Sequence, residues 1–208
     1  MVPVATPPIR DGAVAVVDGA IVACGPAAAV AAGHADLPER DLGAALLLPG
    51  FVDSHCHLEW SLTGGLVVGS SFPEWLAALL ALRGRMRADD HAAAAALGAL
   101  RCLEAGTTTV ADSGPTGAGV AALTAAGLRG QVHLETFGDP RGSAASEAAA
   151  RLAERVAALE GDAGPLVEVG ISPHAPYTAG PDLWTALFEH LDLGRRRWSS
   201  HLAESIEE

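Results

Sequence analysis

Pro49-Gly-Phe-Val-Asp-Ser-His55-Cys-His57-Leu-Glu59 is the stretch that decides how this chain is read. An apolar run, Leu46–Asp53, reads as a β-strand and leads into two histidines one residue apart. Strand side chains alternate between faces, so both imidazoles point one way and Cys56 points the other. Two neutral nitrogens converging from one strand end form half of a transition-metal site. A third histidine, His201 in His-Leu-Ala-Glu204, recurs at another expected strand end with a carboxylate three residues on. Residues of these types at these places point to metal-assisted hydrolysis.

Outward from that stretch the pattern of strand, loop and helix repeats. Phe72–Met86 places Phe72, Trp75, Leu76, Leu79, Leu80 and Leu82 at helical spacing, and Asp89–Glu104 continues as a second helix stopped by Gly106. Thr107–Ala111, Gly130–Phe137, Leu166–Ser172 and Trp198–His201 read as further strands. Helices over Ala118–Ala126, Ser143–Leu159 and Pro181–Leu191 separate them. Strands alternating with helices of this length indicate a parallel α/β architecture. Before Leu48 the texture differs: Asp18-Gly19 between two β-rich runs, Ala13–Val17 and Ala20–Cys24, is a hairpin signal.

Composition narrows the function classes. With 208 residues, 50% of them hydrophobic, the chain can bury a large core. A net charge of -12 disfavours nucleic acid and anionic membranes as partners, and the one basic cluster, Arg195-Arg196-Arg197, reads as a solvated loop. Cys24, Cys56 and Cys102 are odd in number and widely spaced, so no disulfide framework is expected. Cys56 reads as a packed thiol. Neither a signal segment nor a membrane-length apolar run is visible, and the expected compartment is the cytoplasm.

Four ordered motifs carry a family resemblance: Pro49-Gly-Phe-Val-Asp-Ser-His55-Cys-His57, Gly106-Thr-Thr-Thr-Val-Ala-Asp112, Ser172-Pro-His-Ala-Pro-Tyr-Thr178 and His201-Leu-Ala-Glu-Ser205. In order and spacing they resemble the amidohydrolase superfamily, within it the branch of hydrolytic deaminases and chlorohydrolases. The resemblance implies a (β/α)8 TIM barrel, here truncated after about five strands, with part of a small flanking β-sandwich. Residues 1–48 would be the N-terminal part of the sandwich and residues 49–208 the first part of the barrel. A closed barrel needs about eight β/α units. The family's later metal ligands, a histidine after the sixth strand and an aspartate after the eighth, have no counterpart, so a fragment of a longer protein is expected.

The resemblance also implies roles. His55, His57 and His201 would hold one divalent ion, zinc in most members of this branch, with iron(II) as the alternative. Glu204 would carry the proton between water and a ring nitrogen of the substrate, and His174 would contact the reacting group. Trp75 matches an aromatic placed against substrate in some nucleoside deaminases, although core packing is an equal reading. Members acting on S-adenosylhomocysteine hold ribose hydroxyls with a carboxylate soon after this tryptophan, and Leu76–Arg87 contains none. Glu59, with Trp60-Ser61 and Ser71-Phe-Pro-Glu-Trp75, resembles aminodeoxyfutalosine-type members, which makes Glu59 a candidate substrate contact. Asp112 and Glu135 are second-tier candidates at strand ends. His34, His91, His133 and His190 match no motif. The activity the resemblance implies is deamination of an amino-substituted heterocycle, a purine nucleoside derivative such as aminodeoxyfutalosine or S-adenosylhomocysteine. The alternatives are chloride or alkylamine displacement from a triazine-like ring, or an inactive fragment. A small-molecule substrate and a homo-oligomeric full-length protein complete the expectations.

Overall fold

The computed structural model describes residues 1–68 and 71–206, in two compact units, Met1–Gly50 and Phe51–Glu208. In the first unit, β1 (Gly12–Val17) and β2 (Ala20–Pro26) form an antiparallel hairpin. Its turn residues Asp18 and Gly19 have φ of 51° and 76°. Two successive left-handed residues are what a type I′ hairpin turn requires, and its twist matches that of the strands. The alanine-rich α1 (Ala27–Gly33) follows; its residues have high helix propensity but no amphipathic period to announce a helix.

In the second unit four parallel strands lie in sequential order: β3 (Phe51–Cys56), β4 (Thr107–Gly114), β5 (Arg129–Thr136) and β6 (Val167–Pro173). After β3 comes a 3-10 helix (Leu58–Thr63), then α2 (Phe72–Arg83) and α3 (Ala88–Glu104). One helix follows each later strand: α4 (Gly119–Ala126), α5 (Ser143–Asp162) and α6 (Pro181–Leu191). Local signals set the helix ends. The Ser71 N–H donates to Glu74 Oε2 at 3.1 Å to open α2, and Gly127 at φ 67° closes α4.

Alternation along the strands divides the sheet. Val110, Val132, Leu134, Val169 and Ile171 pack with Ala95, Val120, Leu123, Leu152 and Leu187 in one core on the helix-covered side. Each fully buried leucine contributes about 1.5–3 kcal/mol by leaving water. Cys56 joins this core, as expected of a packed thiol, and burial raises its pKa. The other face carries His55, His57, His133 and Glu135 by the same alternation. Among the described residues no helix is long and apolar enough to cross a membrane.

Two expectations need correction. The first strand begins at Phe51, not Leu46: Leu46 and Leu48 are exposed, and parallel pairing starts where Phe51 meets Thr107. An apolar run without a neighbouring ladder is not a strand. The fifth strand, Trp198–His201, is reduced to one parallel bridge between Ile171 and Trp198. The Ser199 N–H donates to the Ile171 carbonyl at 3.0 Å, and the segment then leaves β6 for the His174 carbonyl. Arg196 and Arg197 pair with Glu160 and Glu168, so the basic cluster is largely neutralised.

Candidate metal centre

The site residues gather at the C-terminal ends of the parallel strands, where β/α proteins place their chemistry. His55 lies in β3 and His57 immediately follows it; His174 follows β6 directly. Each of His55, His57 and His201 offers a ring nitrogen, all within 4.8 Å of one another. The His55 and His201 Nε2 atoms are 3.2 Å apart.

Backbone carbonyls fix two of these rings. His57 Nδ1 lies 2.8 Å from the Ser113 carbonyl, and His201 Nδ1 lies 3.0 Å from the His174 carbonyl. A carbonyl only accepts, so each Nδ1 carries the proton and each neutral ring presents a bare Nε2. Burial, then His55, holds the His57 pKa down at about 4, and burial followed by His201 lowers that of His55. Both are therefore neutral at pH 7, the form that binds metal. Two zinc–nitrogen bonds of about 2.05 Å at a tetrahedral angle span about 3.3 Å. The 3.2 Å separation of His55 and His201 fits that edge, and the donor set suits a borderline divalent ion such as zinc.

His174 stacks near His201, with ring centroids 4.6 Å apart. The Thr178 hydroxyl donates to the Ala175 carbonyl and accepts from His174 Nδ1 at 2.7 Å. Glu204 is exposed, and its Oε2 accepts a 2.5 Å hydrogen bond from the Tyr177 hydroxyl, whose ring is 6.1 Å from that of His174. Trp75 is not a core residue: it lies on the exposed side of α2, stacked on Phe72.

Glu59 is a correction. The resemblance made it a substrate contact, but the chain turns into the 3-10 helix at Leu58 and sends Glu59 inward. Its carboxylate is fully buried, accepts from the Thr116 N–H and lies 3.5 Å from His91 Nδ1. It ties the segment after β3 to the loop after β4 and is not open to a substrate. His91, which matched no motif, packs beside it.

Two further carboxyls support the site from below. Asp112 Oδ1 accepts the Leu58 N–H at 2.8 Å and so anchors the backbone beside His57. Burial, then Glu59, lifts its pKa to about 7. Glu135 is buried, lies 3.8 Å from His57 Nδ1, and is raised to about 8 by burial and then by Glu59 and Asp112. Strand-end position signalled both in the sequence. The rim formed by Trp60, Arg83 and Phe137 carried no such signal. The Arg83 guanidinium lies 5.8 Å from the Trp60 ring centre and 5.9 Å from that of Phe137.

The described residues thus form a parallel β/α sheet with a cluster of histidines at the C-terminal ends of its strands. The chain belongs to the amidohydrolase family, whose model matches residues 46–208. A 5-methylthioadenosine/S-adenosylhomocysteine deaminase from Nitratidesulfovibrio vulgaris is 31% identical over 96% of this chain and 46% of the relative. Aminofutalosine deaminase from Helicobacter pylori, solved with methylthio-coformycin, superposes with a TM-score of 0.81 at 23% identity, over 96% of this chain and 48% of that one. An adenosine deaminase from Xanthomonas campestris with bound zinc gives 0.74 at 24% identity, over 96% and 46%. The chain thus spans about half the length of the curated relatives it matches.

Proposed function

We propose that the protein is a metal-dependent hydrolytic deaminase of a purine nucleoside derivative, with His55, His57 and His201 holding one divalent ion, zinc before iron(II). The observation that carries this reading is the convergence of the three rings, two with Nδ1 spent on backbone carbonyls. The names of its relatives, deaminases of adenosine-type nucleosides, support the substrate class.

In the reaction water adds to the amine-bearing ring carbon, a carbon–oxygen bond forms, the carbon–nitrogen bond breaks and ammonia leaves without redox change. When bound, the ion supplies Lewis acidity, which makes water acidic enough to act as a nucleophile near neutral pH. Glu204 takes the proton from water and delivers it to the substrate's ring nitrogen, and the Tyr177 hydroxyl orients that carboxylate. His174, positioned by the Thr178 hydroxyl and lying beside His201, contacts the reacting group. Asp112 and the Ser113 carbonyl keep His57 in place. Trp75, exposed on α2, is available to lie against the substrate.

The test is ammonia release from a panel of adenosine derivatives by the zinc-loaded full-length protein. Release that disappears with a chelator and returns with zinc is the expected result. No release from any aminopurine nucleoside would overturn the proposal.

A further inference from the structure

We propose that Arg83 is a specificity residue that binds a carboxylate or phosphate on the part of the substrate remote from its reacting amine. This inference deepens the deaminase reading above and rests on it. It starts from where the guanidinium lies. Arg83 is the last residue of α2, and its guanidinium carbon lies over two rings, 5.8 Å from the centre of Trp60 and 5.9 Å from that of Phe137. Among the described residues no carboxylate lies within ion-pairing distance of it, and no carbonyl takes its hydrogen bonds.

A cation held over aromatic rings is attracted by their π faces, and that contact uses none of its N–H groups. The N–H edge of a guanidinium matches a carboxylate or phosphate with two parallel hydrogen bonds. Phe137 also joins Arg83 to the centre: its ring lies 4.8 Å from that of His174, which lies 4.6 Å from His201. Glu135, buried below the histidines, feels the Arg83 charge. A purine placed with its amine near His174 would extend its substituent along Phe137 toward this cation. A chain of net charge -12 otherwise repels anionic ligands, so a cation held at the rim sets which anions enter.

The experiment uses the zinc-loaded full-length protein and two matched substrate pairs. Adenosine against adenosine 5′-monophosphate isolates phosphate. 5′-Methylthioadenosine against its 5′-carboxymethylthio analogue isolates carboxylate. For each pair the ratio of kcat/KM, anionic over neutral, is measured in wild type, Arg83→Met and Arg83→Lys, with Kd of each compound obtained by calorimetry. Arg83→Met should lower the ratio about 10- to 100-fold in at least one pair, mainly through KM, with Arg83→Lys between them. The pair that responds identifies the anion. An unchanged ratio in both pairs, even if Arg83→Met damages turnover generally, overturns the proposal. Absence of ammonia from every compound instead overturns the deaminase reading. The calorimetric ratios still decide Arg83 in that case, since equal Kd values in wild type and Arg83→Met refute its role.

Discussion

Replacing Asp112 by Asn should change stability by an amount that grows with pH. Asp112 is fully buried; Oδ1 accepts from Leu58, while Oδ2 has no partner among the described residues. Burial is the main cause that lifts its pKa from an ordinary 3.8 to about 7. A carboxyl with a higher pKa folded than unfolded gains protons on folding. Its favourable contribution is complete below about pH 4 and is lost as pH rises through about 7. At about 1.4 kcal/mol per pKa unit, the wild type loses about 2 kcal/mol at this site between pH 5 and 7, and about 4 kcal/mol in all by pH 7. Asn keeps the acceptor for Leu58 and carries no charge, but buries amide hydrogens without partners at a cost of about 1–3 kcal/mol. Asp112→Asn should therefore roughly match wild type near pH 5 and exceed it by about 1–3 kcal/mol at pH 7. Urea unfolding of both proteins across that range, with a chelator present, measures the difference. A difference that does not move with pH would refute the burial argument.

Other consequences are equally direct. A methyl group at Gly114 would overlap the Glu59 carboxylate and drive it from Thr116 and His91, so Gly114→Ala should cost about 3–5 kcal/mol in urea unfolding; a loss below about 1 would contradict the buried role of Glu59. Glu204→Gln should keep the metal while lowering turnover about 10²-fold or more in an ammonia-release assay, and near-normal rates would remove Glu204 as the proton carrier. Expressed by itself, the 208-residue chain should aggregate on size-exclusion chromatography, because its parallel sheet has four strands and exposes Phe51 and Val52 at the β3 edge; a monodisperse, active protein would require another way of closing the sheet.

The histidines were legible because one rule, alternation along a strand, places His55 and His57 on one face and Cys56 on the other. The role given to Glu59 rested on resemblance and not on that rule. Nothing in Leu58-Glu59-Trp60 announces a 3-10 turn, and only the turn takes Glu59 from the site into the core. Helices with a clear apolar period or a cap, such as α2 and α3, were readable to within a few residues. The strand over Leu46–Gly50 was misread because hydrophobicity records a wish for burial, whereas pairing depends on a neighbour distant in sequence, here Thr107. Arg83 was invisible for a related reason: its importance comes from Trp60 and Phe137, which only folding brings beside it.

Metal content of the purified full-length protein and of three variants tests the assignment of the centre most directly. Wild type should hold about one equivalent of divalent ion, and His55→Ala, His57→Ala and His201→Ala should each lose it, because removing one of few ligands leaves an incomplete shell. Wild-type stoichiometry in His57→Ala would contradict the assignment.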